Sequence, residues 1–225
     1  MATSNHVIAV IGATGQLGAA IARRLVLAGS NVIIGSRDAG RAQEAAKALS
    51  SETGKDVAAD ANAAAAAAAD VVIVAVPYGA QSATLKEIAG AVSGKIVIDA
   101  TVPLVPPKVM RVQLPEEGSA AIAAQNILGP SVRVVSAFHN VPAHKLATDE
   151  KIACDVLVFG DDRAARDVAI DVVGRCGLRG LHGGALCNSA AAEALTSVLI
   201  FINKTYSSDG AGIEITGKLV KRPSA

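Results

Sequence analysis

Residues 6–18, HVIAVIGATGQLG, decide the fold that this sequence predicts. The compact apolar run from His6 to Ile11 predicts a buried strand, and this strand stops at a glycine. From Gln16 to Ala28 the apolar residues recur at helical spacing, so a helix is expected directly after the glycines. A glycine-rich turn that follows a strand and opens a helix is typical of a dinucleotide-binding unit.

The three glycines of the turn have different expected roles. Gly12 permits a tight turn, Gly15 lets the backbone approach a pyrophosphate, and Gly18 lets the helix pack closely on the strand. The anion would lie at the helix N-terminus, where free N–H groups favour negative charge. We therefore take the whole turn as a candidate cofactor site, including Gln16 and Leu17. The alternative is a packing turn that binds no ligand.

The residues after the second predicted strand favour NADP over NAD. An NAD site typically has an acid here that bonds the ribose 2′-hydroxyl. This chain instead has Ser36 and Arg37, and a guanidinium can hold a 2′-phosphate through two hydrogen bonds. Arg41 would add a second cation, and Thr14 a hydroxyl. Asp38 is the competing acid, but it is better explained as the N-cap of the next helix.

Strands and helices alternate along the chain up to about residue 137, which predicts an α/β fold: a Rossmann-type, doubly wound parallel sheet. The alanine-rich stretch 58–69 is interpreted as a helix with no direct chemistry, because alanine is the best helix former. Prolines crowd residues 101–115, which predicts a long loop. The further strands are expected at 32–34, 71–76, 95–100 and 132–137, and the further helices at 38–49, 81–92 and 119–126.

The pattern of predicted strands and helices changes near residue 150. We predict an NADP-binding Rossmann domain over 1–150 and a small C-terminal α/β domain over 151–225. The latter should end in a long apolar helix from Ser189 to Tyr206. Such a helix needs to be buried against the sheet, a second subunit or both, so a homodimer is expected. The shorter elements of this part are expected at 156–160, 162–173 and 178–181.

Composition excludes several classes of function. The 225 residues are 51% hydrophobic, and the 21 basic residues nearly balance the 20 acidic ones. This balance argues against nucleic acid or an anionic membrane as a partner. The absence of Trp and the presence of only three Phe and two Tyr argue against stacking on single-stranded nucleic acid.

The cysteines, the N-terminus and the apolar stretches together indicate a cytoplasmic protein. Three cysteines without a C-x-x-C pair argue against a disulfide framework and against a zinc site, so we expect no metal. The N-terminus lacks the basic region and cleavage site of a signal peptide. Asp70 and Glu193 interrupt the two most apolar stretches, so no membrane span is expected.

The sequence resembles one family over nearly its whole length, the NADPH-dependent reductases of the deazaflavin coenzyme F420 (F420:NADP oxidoreductases). Segments in the order of that family carry the resemblance. They are IGATGQLG (11–18), IIGSR (33–37), the pair Val76-Pro77, SAFHNVPA (136–143), FGDD (159–162), LCNS (186–189) and AEALTSVLIFIN (192–203).

The resemblance implies a reaction and a set of site residues. A hydride would pass directly between NADP(H) and coenzyme F420, so no catalytic side chain is expected. The 2′-phosphate of NADP would be held by Thr14, Ser36, Arg37 and Arg41. The nicotinamide would be lined by Val76, Pro77 and Ala143. The deazaflavin would face His139, Val141, Pro142 and Ala143, with further contacts from Thr196 and Ile200, so the C-terminal domain would complete its site.

Two other functions fit parts of the sequence. The chain could be an NADP-dependent reductase of another small or flavin-like acceptor. The short-chain dehydrogenase version needs a lysine four residues after a tyrosine, and neither Tyr78 nor Tyr206 has one. The chain could also be a non-catalytic NADP-sensing protein, which would bind NADP without transferring a hydride.

Overall fold

One twisted eight-stranded sheet forms the centre of the protein. The structure is a computed structural model, and it describes residues 6–220. The strand order is β3-β2-β1-β4-β5-β6-β7-β8, and all neighbours are parallel except β6 and β7. This confirms the predicted Rossmann-type fold. The strands are β1 (Val7–Ile11), β2 (Asn31–Ser36), β3 (Ala58–Ala61), β4 (Val71–Val74), β5 (Ile96–Asp99), β6 (Arg133–Ser136), β7 (Asp155–Gly160) and β8 (Arg179–Gly184).

Helices cover both faces of the sheet, and polar side chains begin three of them. Asp38 Oδ1 accepts from Gly40 N at 2.8 Å, which confirms the predicted N-cap, and Asp162 Oδ1 accepts from Ala165 N at 2.7 Å. Ser119 Oγ caps a third helix in the same way. The helices are α1 (Gln16–Leu27), α2 (Ala39–Thr53), α3 (Asn62–Ala68), α4 (Tyr78–Ile88), α5 (Ala120–Leu128), α6 (Ala143–Leu146), α7 (Arg163–Arg175) and α8 (Ser189–Tyr206).

The core is aliphatic on both faces of the sheet. Ile21 and Leu25 of α1 are buried against one face, and Leu85 and Ile88 of α4 are buried against the other. Every residue of β4 and of β5 is buried, so these central strands are apolar almost without interruption. This is the pattern that parallel strands covered on both sides require.

The alanine-rich stretch differs from its predicted form. Residues Ala58–Ala61 form the edge strand β3, and only Asn62–Ala68 is helical. Strand β3 pairs in parallel with β2, with Ala58 opposite Ile33. Pairing with a neighbouring strand therefore outweighs the helix propensity of these alanines. The local sequence does not indicate this pairing, because it is a tertiary contact.

The chain after residue 150 continues the same sheet through β7 and β8. The proposed division at residue 150 is therefore not marked by a break in the sheet, and it stays a prediction. Residues 101–115 contain no helix or strand, as the prolines predicted, and the helix expected from 119 begins at Ala120.

Helix α8 is only partly buried. By length and composition alone, Leu186–Tyr206 could cross a membrane, contrary to the expectation that Glu193 prevents it. In the structure Glu193 is buried, and its carboxylate accepts from Ala120 N at 2.7 Å and from Ala121 N at 3.2 Å. These bonds tie the helix to α5. The outer face of α8 exposes Phe201.

Candidate functional site

The candidate site lies at the carboxyl edge of the sheet. The strand order reverses between β1 and β4, so the loops that follow these strands diverge and leave a crevice. Gly12 directly follows β1, Ser36 ends β2, and Val76 and Pro77 follow β4. Ligands of doubly wound sheets bind at this kind of reversal.

The glycine turn is built from close backbone contacts. Gly12 has a φ of +88°, and a Cβ there would lie 2.5 Å from the carbonyl oxygen of Ala75. A Cβ on Gly18 would lie 2.5 Å from the carbonyl oxygen of Gly12, which shows how closely α1 packs on the turn. Within the turn, Gly15 N donates to Gly12 O at 2.9 Å. Only glycine fits at Gly12 and Gly18 without moving the backbone.

The first turn of α1 keeps its amide groups available. Its N-cap is Gly15, and in the described chain no side chain accepts a hydrogen bond at this position. The N–H groups at the start of a helix have no partner within the helix, so they favour a bound anion. The turn and the helix start together fit the pyrophosphate of a dinucleotide.

A cavity of about 500 Å³ opens between this turn, the end of β2 and the start of α4. Its size is within the usual range for small-molecule sites. It also contains Asn62, Ala80 and Thr84, which sequence reasoning did not single out. Of the predicted site residues, it brings together Gly12, Thr14, Gly15, Ser36, Arg37, Arg41, Val76 and Pro77.

Two arginines give the mouth of this cavity a positive charge. Arg37 and Arg41 are exposed, and neither forms a salt bridge with any carboxylate among residues 6–220. Asp38 Oδ1 caps α2, and Ser36 Oγ accepts from Asp38 N at 3.3 Å. The Ser36 hydroxyl hydrogen remains free to donate. The arrangement is suited to a dianionic group such as a 2′-phosphate.

A second, larger cavity of about 790 Å³ lies between α1, α2 and α6. It contains Gln16 and Ala143, and it shares Thr14 and Arg41 with the first cavity. Ala143 was predicted to line one ring together with Val76 and Pro77, but the structure places it in this other cavity. Leu17 is half-buried against the core, and Gly18 is buried.

The residues after β6 are held by hydrogen bonds from α8. The Thr196 hydroxyl donates to His139 O at 3.0 Å and accepts from Asn140 Nδ2 at 3.1 Å. Thr196 and His139, both predicted site residues, are therefore neighbours. Val141 is buried, Pro142 precedes α6, and Ile200 is half-buried on α8. Neither of the two cavities above is lined by these residues.

His139 is held as a neutral imidazole. Its side chain is buried, and Nε2 lies 2.9 Å from Ser136 Oγ. Burial disfavours the charged form and lowers the pKa of His139 to about 4. At neutral pH the histidine therefore adds no charge to this edge of the sheet.

Asp99 is a buried carboxyl that sequence reasoning treated only as part of a strand. In the sheet it lies between Val74 and Ser136. Its Oδ2 accepts from Gln81 Nε2 at 2.5 Å, and burial raises the pKa of Asp99 to about 7. Its position as the only acid in KIVIDA, at the end of an apolar strand, was the available signal. Across residues 6–220 we find no cluster of three or more His, Cys, Asp or Glu that could hold a metal.

The family model and two similar curated proteins point to the same family. Residues 7–103 match the family model described as NADP oxidoreductase, coenzyme F420-dependent. An F420-dependent NADP reductase of Methanothermobacter thermautotrophicus is 40% identical over 218 residues, which cover 93% of this chain and 94% of that protein. The enzyme of the same name from Methanocaldococcus jannaschii is 39% identical over 93% of this chain and 97% of its own length.

A solved structure agrees with the fold. It is a provisionally assigned F420-dependent NADP reductase from Arthrobacter sp. FB24, 24% identical, with a TM-score of 0.78. The match covers 94% of this chain and 100% of that one. At this identity the likeness concerns the fold alone, and the sequence relatives carry the assignment. By its identity to them over almost its entire length, the chain belongs to the family of F420-dependent NADP reductases.

Proposed function

We propose that this protein transfers a hydride between NADP(H) and coenzyme F420. The observation that carries the proposal is the first cavity, where a glycine turn and two unpaired arginines meet at the reversal of strand order. Its shape and charge suit NADP, and the family membership supports F420 as the other reactant. The nicotinamide and the deazaflavin supply the redox chemistry, and the protein supplies binding and orientation.

The turn at Gly12–Gly18 would hold the pyrophosphate on its amides, with Gln16 and Leu17 contributing backbone. Arg37 and Arg41 would pair with the 2′-phosphate, while the hydroxyls of Ser36 and Thr14 donate to it. From there the cofactor would extend past Val76 and Pro77. This path follows the first cavity from the end of β2 to the end of β4.

The deazaflavin would bind beside the nicotinamide, against His139, Val141, Pro142 and Ala143. The neutral His139 and the apolar neighbours would exclude water without placing a charge beside the rings. Thr196 would hold the backbone of His139 in place, and Ile200 would add an apolar contact from α8. In this scheme residues 151–225 complete the site that residues 1–150 begin. Direct transfer needs the reacting carbons about 3–3.5 Å apart.

Mixing the purified protein with oxidised F420 and NADPH tests the proposal through the loss of the deazaflavin's visible absorbance. We expect bleaching with NADPH, at least about tenfold slower bleaching with NADH, and no reduction of FMN. Arg37→Ala should lose most of the preference for NADPH. Arg163→Ala, an exposed arginine at the start of α7, is the matched control and should behave as the wild type.

Two results would contradict the proposal in different ways. Equal rates with NADH and NADPH would remove the 2′-phosphate assignment but keep the enzyme. Binding of NADPH without reduction of F420 would remove the hydride transfer, and would favour another acceptor or a sensing role.

We also propose a homodimer that works in the cytoplasm, with no nucleic acid or membrane as partner. Val198 and Phe201 form an exposed apolar face on α8, with 44% and 53% of their surfaces accessible. The proline-rich loop extends this face, because Ser197 Oγ donates to Arg111 O and the next residue, Val112, is also exposed. Light scattering should give twice the mass of one chain, and Phe201→Glu should give a monomer. A monomeric wild type would contradict this.

A further inference from the structure

Asn62 has an unusual position in the wall of the first cavity. It begins α3, directly after the edge strand β3, and only 2% of its surface is accessible. It lines the cavity together with Ala80 and Thr84 of α4. Its Nδ2 donates to Glu87 Oε2 at 3.0 Å. Its Oδ1 accepts no hydrogen bond from any part of the chain that the structure describes.

The hydrogen-bond partner of the Asn62 amide shows which of its two ends is unpaired. A carboxylate can only accept, so the amide –NH₂ must face Glu87. The carbonyl oxygen therefore points away from Glu87 and lies beside Gly35 of β2, 3.4 Å from where a Cβ would stand. Buried polar groups in folded proteins nearly always have a partner. A buried acceptor in a ligand cavity thus indicates a ligand with an N–H or O–H group at this point.

We propose that Asn62 recognises the adenine of NADP by accepting a hydrogen bond from its 6-amino group. The inference rests on the proposed placement of NADP in the first cavity. The 2′-phosphated adenosine has only two neutral donors, the 6-amino group and the ribose 3′-hydroxyl. Ser36 and Arg37 hold the ribose end, at the end of β2. Asn62 lies one strand further out, because the preceding Ala61 pairs with Ser36. It therefore stands beside the ribose end, in a cavity where Ala80 also offers an apolar surface to a flat base.

Recognition of this amine would make Asn62 a specificity residue, with no part in hydride transfer. It would select adenine over hypoxanthine, whose 6-oxo group would place an acceptor against the Asn62 oxygen. Two facing acceptors leave both groups unpaired, which is how a polar site rejects a near-identical ligand.

The direct test measures the Kd of NADPH and of its hypoxanthine analogue by calorimetry. The wild type should bind NADPH at least about tenfold more tightly than the analogue. Asn62→Leu, of similar volume, should bind the two nucleotides within about twofold of each other. Glu87 is exposed and can be hydrated when it loses this partner. Asn126→Leu, the same change at an exposed site on α5, is the matched control and should keep the wild-type ratio.

A second variant tests the orientation of the amide even if Asn62→Leu does not fold. Glu87→Lys replaces the acceptor with a donor, so the amide should turn and present –NH₂ to the cavity. The preference should then shift toward the hypoxanthine analogue by at least about tenfold. The added charge should act equally on both nucleotides, so the ratio isolates the amide.

Several outcomes would overturn the inference. They are equal binding of the two nucleotides by the wild type, an unchanged ratio in folded Asn62→Leu, and an unchanged ratio in Glu87→Lys. Arg37→Ala separates this failure from failure of the proposed function. If Arg37→Ala weakens both nucleotides while Asn62→Leu leaves their ratio unchanged, only the role of Asn62 is wrong. If Arg37→Ala weakens neither, the placement of NADP in this cavity is wrong and the role of Asn62 fails with it, whereas the hydride transfer itself is decided by the F420 assay above.

Discussion

The two halves of the carboxyl edge are built in different ways. Around β1 and β2 the candidate site consists of main-chain geometry: a positive φ at Gly12, close approach at Gly18 and a helix start without a side-chain cap. Around β6 it consists of side-chain hydrogen bonds between distant segments, such as Thr196 to His139 and Asn140. The first kind of site depends on neighbours in sequence, and the second on contacts over more than fifty residues.

This difference decides how each half should respond to mutation. A backbone-built site has no room for additional atoms, so adding a methyl group should strongly reduce both stability and nucleotide binding. In a site built from side-chain hydrogen bonds, each substitution should cost less stability, and a replacement that keeps the hydrogen-bonding group should preserve the site. The four predictions below run from the largest expected effect to the smallest.

Gly12→Ala should have the largest effect. The new Cβ would lie 2.5 Å from Ala75 O at a φ of +88°. Strain and overlap together should cost about 4 kcal/mol of unfolding free energy. Displacement of the turn should weaken NADPH binding more than about a hundredfold. Chemical denaturation and nucleotide titration measure the two effects.

The matched control for Gly12→Ala is Gly174→Ala. Gly174 lies in α7, and a Cβ there would meet no atom within 4 Å. Alanine should stabilise that helix by up to about 1 kcal/mol. If Gly12→Ala bound NADPH as well as the control does, the backbone-built description of this half would be wrong.

These features also explain how much of the site the sequence could reveal. The turn, Ser36 and Arg37 were predictable because motif, strand and helix are consecutive in the chain. The edge strand β3 was not predictable, because its pairing with β2 is a tertiary contact that alanines do not encode. Asn62 was missed for the same reason. With β3 interpreted as part of a helix, nothing in the sequence marked Asn62 as the residue that follows the end of a strand.

Asp99→Asn tests the buried carboxyl between the two halves. Because the pKa of Asp99 rises from 3.8 to about 7, the folded state retains a proton that the unfolded state loses above about pH 4. The stability of the wild type should therefore fall as pH rises from about 4 to about 7, by on the order of 3 kcal/mol from this group. The variant should lack this fall.

The measurement compares unfolding free energies of wild type and Asp99→Asn across this pH range. His139 has the opposite slope, because its lowered pKa makes stability fall as pH drops from about 6.5 to about 4. Its contribution is common to both proteins and cancels in the difference. The control is Asp56→Asn, at an exposed acid. A pH-independent difference for Asp99→Asn would show that this carboxyl does not titrate as inferred.

Arg179→Ala should have a smaller effect, at the far edge of the sheet. Arg179 binds both oxygens of the Asp155 carboxylate, at 2.5 and 2.7 Å, and lowers the pKa of Asp155. Asp155 also accepts from Ile215 N, so the pair fixes the chain after α8. Because Arg179 is half exposed, solvent screens the pair, and the loss of unfolding free energy should lie between those of Asp99→Asn and Thr196→Val. Arg163→Ala should lose less than about 0.5 kcal/mol. If Arg179→Ala and Arg163→Ala lost the same unfolding free energy, the pair of Arg179 and Asp155 would not contribute to stability.

Thr196→Val should have the smallest effect on stability and the most selective effect on activity. The methyl that replaces the hydroxyl leaves Asn140 Nδ2 with Ala192 O, 2.9 Å away, but leaves His139 O without its donor. We expect a loss of about 1 kcal/mol. If the residues after β6 face the deazaflavin, the KM for F420 should rise severalfold while the Kd for NADPH stays unchanged.

Two further variants decide whether Thr196 acts through its hydroxyl. Thr196→Ser keeps the hydroxyl, so it should restore the KM for F420. Thr205→Val makes the same change at an exposed site on the same helix and should alter neither constant. If Thr196→Val instead weakened NADPH and F420 equally, α8 would support the whole edge of the sheet. The contrast between a backbone-built half and a half built from side chains would then describe the fold and not the two cofactor sites.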